Sequence, residues 1–271
     1  MMRALWTAAS GMTTQQTNID TISNNLSNLG TIGYKKEAAQ FKTLLYQTIQ
    51  QAQTDSNGDE KPIPAQVGLG VRTSAIKSIT TQGVPMQTGN GFDLAIEGDG
   101  YFAVRMQDGT IGYTRNGSFQ LSVGNGGLTL SNAEGYPVLD SNGEPIVIPE
   151  GLDKTALTID KNGFLCYPDQ QNNAQSIGTR IGIVKFSNPA GLLKSGGSIL
   201  LESAASGQPT FEELGKQGDN SRLLVGYLEN SNVEAVEEMV NLIVAQRAYE
   251  MNSKVINASD EMLQQANNLR R

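Results

Sequence analysis

Gly98-Asp99-Gly100-Tyr101-Phe102-Ala103 has the spacing of a loose dinucleotide fingerprint, in which a glycine turn presents backbone N–H groups to a pyrophosphate. That chemistry needs the glycines to open a helix, whereas Tyr101 to Arg105 reads as a strand. Asp55, Asn57, Asp59 and Glu60, and again Asp140, Asn142 and Glu144, offer the hard oxygens that calcium takes. Neither run has the six-ligand loop closed by a terminal glutamate, and Asx-Gly turns account for both. The carboxylate pairs Glu212/Glu213 and Glu237/Glu238 are the residue types of glycoside hydrolysis, which needs two carboxyls on either side of one bond. The first pair adjoins without an aromatic platform, and the second suits the positive end of a helix dipole. Cys166 is the single cysteine, and with no histidine to activate it a small core residue is expected there. No catalytic, cofactor-binding or metal site is therefore expected.

Composition narrows the classes further. The 271 residues suffice for one large or two smaller domains, and a net charge of -7 without long basic runs argues against nucleic acid or an anionic membrane as partner. The first ten residues lack the apolar core of a signal peptide and no apolar run is long enough to span a bilayer. The expected location is the cytoplasm, or a destination reached without a cleaved signal.

The elements that must position any working residue are helices at both ends. From Asn232 to Arg271 no Gly or Pro interrupts, and Val244, Ala248, Met251, Val255, Ala258, Met262, Gln265 and Leu269 recur at alternating spacings of four and three, a heptad seam. Tyr249, Ile256 and Leu263 flank it at intervals of seven. A second seam, Leu5, Ala8, Met12, Gln15, Ile19, Ile22, Leu26 and Leu29, lies at the other end, in a stretch whose one charged side chain between Ala4 and Tyr34 is Asp20. Its other face, including Thr7, Thr13, Thr14, Thr17, Thr21, Asn24 and Asn25, looks made for hydrogen bonding to neighbours. Such a helix is marginal alone and is expected to order on pairing or assembly. Antiparallel pairing predicts Leu26 opposite Met251, Ile22 opposite Val255 and Ile19 opposite Ala258, with Gln15 and Gln265 in adjacent layers. Ala8, Ala9, Gly11, Ala248 and Ala258 would permit close approach.

Between the ends, all nine prolines fall from Pro62 to Pro209 and 27 of 30 glycines from Gly58 to Gly226, which marks a separate domain. Short alternating runs at 93–97, 101–105, 118–121, 127–130, 145–149, 155–160, 180–186, 198–202 and 222–227 read as strands of an antiparallel fold. Asp99-Gly100, Asp108-Gly109, Asn116-Gly117, Asn125-Gly126, Asn142-Gly143 and Asn162-Gly163 supply turns, since both residue types tolerate positive φ. Helix is expected to continue through Phe41, Leu44, Leu45 and Ile49 before a polar linker ends at Pro62 and Pro64. The class is α+β: helical segments 1–61 and 221–271 flanking a β domain at 62–220.

Two motifs carry a family resemblance. Ser23-Asn24-Asn25-Leu26-Ser27-Asn28 followed by Thr31-Ile32-Gly33-Tyr34-Lys35-Lys36 resembles the N-terminal signature of the bacterial flagellar rod and hook proteins. Glu229-Asn230-Ser231-Asn232-Val233, Glu237-Glu238-Met239 and Ala245-Gln246-Arg247-Ala248-Tyr249-Glu250 resemble its C-terminal partner. Within the family, the length and the runs 45–49 and 66–72 are most like the distal rod branch. The resemblance implies a structural subunit, not an enzyme, that polymerises helically into a tube transmitting torque from motor to hook. It implies as partners further copies of itself, proximal rod proteins, the hook protein, the P- and L-ring proteins and the flagellar export apparatus, with no nucleic acid, small-molecule substrate or cofactor. Leu5, Met12, Gln15, Ile19, Ile22, Leu26, Leu29, Ala248, Met251, Val255, Ala258, Met262 and Gln265 are the expected assembly residues. Proximal rod or hook subunits are near alternatives. From another class, a β-rich carbohydrate-binding or carbohydrate-cleaving protein would use terminal helices merely to close its domain.

Overall fold

The computed structural model describes residues 2–50, 65–124, 127–148, 157–168, 174–212 and 221–268. They form two compact units, one of Met1–Ser27, Glu37–Ser78 and Glu234–Arg271, the other of Asn28–Lys36 and Ile79–Val233. The class is α+β, with helices near both chain ends and an antiparallel β-rich middle. No described helix is long and apolar enough to cross a membrane.

In the first unit, helix α1 (Met2–Ser27) pairs with helix α2 (Ala235–Asn268). Both begin or stop short of the sequence pattern: Leu29 follows the end of α1, and Tyr227–Glu229, ahead of α2, is a strand paired with Pro85–Gln87. Leu269, Arg270 and Arg271 lie outside the described residues, as do the 51–64 linker with its acidic run, Asn125-Gly126 and Glu213. The helix expected through Phe41, Leu44, Leu45 and Ile49 is instead β-structure. Strand β1 (Glu37–Thr43) pairs with β4 (Val71–Ser78), and β2 (Tyr46–Gln50) pairs with β3 (Ala65–Gly68), all antiparallel. Apolar spacing at 41, 44, 45 and 49 fits a helix, but the deciding partners lie downstream, where local periodicity cannot report them. Gly70, at φ 118°, lets this ribbon approach α1, since a Cβ there would collide with Ser10 Oγ.

The second unit is built on a six-stranded antiparallel sheet in the order 193–194, 199–201, 111–114, 101–105, 183–185 and 210–212. Strand Tyr101–Arg105 is buried on both faces, which explains its continuous apolar run. Phe102 and Val104 enter one core with Leu94, Ile96, Phe119 and Ile181, while Tyr101 and Ala103 enter another with Tyr113, Val184 and Phe186. Phe102 and Phe119 meet edge to face at 5.0 Å. The strands expected at 93–97, 101–105, 127–130 and 198–202 form; Ile111–Thr114 was not distinguished by pattern, because Tyr113-Thr114-Arg115 runs into turn residues.

The Asx-Gly turns form with a different backbone from the one expected. Gly109, Gly143 and Gly163 take positive φ but the Asx residues before them do not; Ser198 is the described non-glycine residue at positive φ. Asx side chains instead brace the turn: Asp108 Oδ1 accepts from Thr110 N at 3.0 Å, and Asp140 Oδ1 accepts from Asn142 N at 2.8 Å and Glu144 N at 2.9 Å. The candidate calcium run at Asp140 is thus occupied in holding its own loop.

Phe102→Ala should remove about 3–5 kcal/mol from the unfolding free energy of the β-rich unit, read from the urea midpoint. Glu212 supplies a pH signature. Burial alone would raise its carboxyl pKa, but the Lys185 ammonium at 2.7 Å and the Ser221 hydrogen bond more than compensate, so it is held below the ordinary carboxylate range. A carboxylate depressed in the fold adds stability above its unfolded pKa, which is lost as pH falls through the folded value. Denaturant midpoints should drop across that acid window, and Glu212→Gln should flatten the slope there.

Candidate assembly interface

Two contacts fix how α1 meets α2. Asn25 Nδ2 donates to Glu238 Oε2 at 2.9 Å, and a Cβ placed on Gly11 would lie 2.8 Å from Asn252 Nδ2. Fourteen residues separate the two contacts on each helix, so one antiparallel register holds across about four turns. In that register Leu26 is level with Glu237, not Met251, a slip of two heptads from the expected pairing. Gln15 comes level with Ala248, far from Gln265, and its buried Oε1 has no hydrogen-bond partner.

The reason lies in α2, which carries two stripes side by side. The one turned inward includes Glu238, Leu242, Ala245, Asn252, Ile256, Ser259 and Leu263, buried or half-buried. Opposite it α1 offers Ala8, Gly11, Gln15, Asn18, Ile22 and Asn25. Small and polar groups make this seam; of the three residues that recur at intervals of seven, Ile256 and Leu263 turn toward it and Tyr249 is exposed. The more apolar stripe lies outside it. Val236, Val240, Val244, Met251, Val255 and Met262 are exposed, with Met251 60% and Val244 62% accessible, and Met239 and Ile243 beside them. Of the expected assembly residues, Ile22 is buried, and Leu5, Met12, Gln15, Ile19, Leu26 and Ala248 are half-buried. Met251, Val255, Ala258, Met262 and Gln265 are exposed, as is Leu29 in the other unit.

Asn25 is the cross-tie of this unit. Its Oδ1 accepts from Glu37 N at 2.9 Å and its Nδ2 donates to Glu37 O at 2.8 Å as well as to Glu238, joining α1 to β1 and α2. The threonines behave differently from the expectation of outward hydrogen bonding. Thr7, Thr13, Thr17 and Thr21 each donate to the backbone carbonyl four residues earlier, while Thr14 and Thr21 are buried.

In the second unit, residues from the two signature motifs are brought together. Gly33 N donates to Glu229 O at 2.8 Å, Lys36 N donates to Asn232 Oδ1 at 2.6 Å, and Asn232 Nδ2 donates to Ile79 O at 2.9 Å and Thr81 O at 3.0 Å. Glu229, 1% exposed, is gripped from three sides. Its Oε1 accepts from Lys35 Nζ at 2.6 Å and Gly83 N at 2.8 Å, and its Oε2 stands 3.4 Å from Arg115 Nε, an ion pair without an aligned hydrogen bond. Burial pulls the Lys35 pKa below its ordinary value and Arg115 pushes the same way, while Glu229 opposes them. Gly33, at φ 70°, sits where a Cβ would come within 2.7 Å of the Arg115 backbone. Sequence pattern gave no hint of Arg115, an isolated charge next to a turn.

Gly100 and Cys166, from the patterns with a chemical look, have structural places. Gly100 opens a central strand, where a Cβ would crowd Ile183 Cγ2. Cys166 is buried and its thiol pKa is raised, first by desolvation and then by Asp160. Among the described residues no three His, Cys, Asp or Glu side chains converge as a metal site would require.

Three family profiles match the chain. Those described as Flagella basal body rod protein, Flagellar hook protein FlgE/F/G D1 domain, and Flagellar basal body rod FlgEFG protein C-terminal cover residues 5–35, 95–167 and 224–269. The first spans Gly11, Asn25 and Lys35, the last Glu229, Glu238 and Asn252. The chain is similar to the flagellar basal-body rod protein FlgG of Borreliella burgdorferi, 46% identical over 273 residues that cover 100% of both chains. It is also similar to FlgG of Caulobacter vibrioides, 44% identical over 99% of this chain and 100% of the relative, and of Bacillus subtilis, 40% identical over 100% of both.

Glu229→Gln would leave Lys35 and Arg115 buried without a counter-charge. It should cost about 3–5 kcal/mol in chemical denaturation, against less than about 0.5 kcal/mol for a control change at exposed Glu134.

Proposed function

The chain belongs to the FlgG family of flagellar basal-body rod proteins, and from that premise we propose that its outward apolar stripe on α2 is where copies join into the tube of the distal rod. The observation that carries this reading is the division of α2. One stripe is spent on α1, while the more apolar one, from Val236 through Val244 and Met251 to Met262, remains exposed on a single chain. Apolar area of that kind is stabilised by a partner helix.

In the assembled rod, Met251, Val255, Ala258, Met262 and Gln265 of one copy pack against another, together with the half-buried Leu5, Met12, Ile19 and Leu26 edge of α1. The work is mechanical: interlocked helices carry torque from motor to hook without chemistry or cofactor. Proximal rod proteins and the hook protein adjoin the two ends of the rod, and P- and L-ring proteins surround it. The export apparatus delivers the subunit to the periplasmic basal body. Full-length matches to FlgG proteins favour the distal rod over the proximal rod, the hook and a carbohydrate-directed β protein.

Met251→Asp should abolish sedimentable polymer while leaving the circular dichroism of the single chain unchanged. Because Met251 is exposed, its folding free energy should fall by less than about 0.5 kcal/mol. Wild-type polymerisation retained in that variant would remove the outer stripe from the assembly contact.

A further inference from the structure

Arg115 has a second side. Besides facing Glu229, it lines an open cavity of about 300 Å3 whose other polar walls include Thr80, Asp99, Tyr101 and Ser187, all within the second unit. Tyr101 and Arg115 are each 5% exposed. The guanidinium is largely committed: Nη2 donates to Gly98 O at 2.6 Å, Nη1 to Ile96 O at 3.4 Å, and Nε faces Glu229. The Tyr101 hydroxyl is not. It makes no hydrogen bond among the described residues, and burial pushes its pKa above the ordinary phenol value, so it stands as a neutral donor. A buried hydroxyl without a partner costs free energy that a ligand can return. The Thr80 and Ser187 hydroxyls and the Asp99 carboxylate likewise form no side-chain hydrogen bond or ion pair among the described residues.

The charges that border the cavity cancel. Lys35 and Arg115 exceed Glu229 by one positive charge and Asp99 brings one negative, while Lys185, another lining residue, is paired with Glu212 at 2.7 Å. Neither an anion nor a cation is therefore drawn in strongly. What remains is three free hydroxyls, a carboxylate with two acceptor oxygens, and apolar surface from Phe186 and Pro189. Those groups match the neighbouring hydroxyls and the C–H face of a pyranose ring. We propose that the cavity binds a neutral saccharide of one or two rings, with adjacent sugar hydroxyls donating to Asp99 and a sugar oxygen accepting from Tyr101. Its volume suits a ligand of that size. The lining holds one carboxylate, so the sugar is held without being cleaved, which takes two. Binding there is independent of the outer stripe, since no residue of α1 or α2 lines the cavity.

A sugar unit reaches such a site either free in solution or as part of a glycan chain. Full-length chain titrated calorimetrically with maltose, cellobiose and N,N′-diacetylchitobiose should bind at least one of them. Tyr101→Phe and Asp99→Asn, the latter at an exposed position, should each weaken that binding about tenfold. The thermal midpoint should not fall in Tyr101→Phe, because its hydroxyl has no partner in the chain to lose, and a control Glu134→Gln should change neither quantity. Retention on pelletable chitin or cellulose, released by the soluble disaccharide, marks a glycan chain as the source; binding of the disaccharide without retention marks the free sugar. Three results overturn the site: no heat from any of the three disaccharides up to roughly 20 mM, binding that neither variant weakens, or tighter binding of glucosamine or glucose 6-phosphate than of glucose.

Discussion

The contact on which the helical unit depends is made by small and polar groups. Gly11 lets Asn252 lie against the α1 backbone, and Asn25 reaches Glu238 across the same interface while closing two hydrogen bonds with β1. Such contacts are directional. A slip of one heptad would place a side chain where only glycine fits and would leave a buried amide and carboxylate unpaired, each costing more than the burial of an extra methyl would return. Register is therefore set by exclusion, and the apolar stripe of α2 remains available to other surfaces.

The β-rich unit shows the same preference for specificity at its closing point. Lys35, Arg115 and Glu229 are all nearly inaccessible, an arrangement that costs desolvation and gives weak net stability compared with an apolar replacement. What it supplies is discrimination: a lysine from the N-terminal motif finds its carboxylate in the C-terminal motif, and Gly33 and Gly83 clear the backbone around it. Residues nearly two hundred positions apart in the chain are matched by charge and shape together.

Much of this was legible in the sequence for a physical reason. Helices at both ends announce themselves because burying one face of a helix requires a repeat of three and four, and the glycine and proline boundaries mark the β-rich middle. The inner seam was missed because periodicity ranks stripes by hydrophobicity, and Asn252 and Ser259 made the true one look like surface. The 41–49 segment was misread because its pairing partners, such as Thr73 for Phe41 and Gly68 for Tyr46, lie far along the chain. Glu229 and Lys35 could be recognised as motif residues, but a motif does not state which of its members touch. Arg115 gave no signal, since a single arginine beside a turn is ordinarily solvated.

The threonine ladder of α1 alters what its outer wall offers. With Thr7, Thr13 and Thr17 hydroxyls turned back onto the carbonyls of the preceding turn, the groups presented beyond them are methyls. A wall written in polar letters is thus chemically closer to alanine than to serine, and it carries almost no ionic charge for mobile ions to screen. Whatever rests against the threonines of that part of the helix meets neutral methyl groups, whose grip is indifferent to the saltiness of its surroundings.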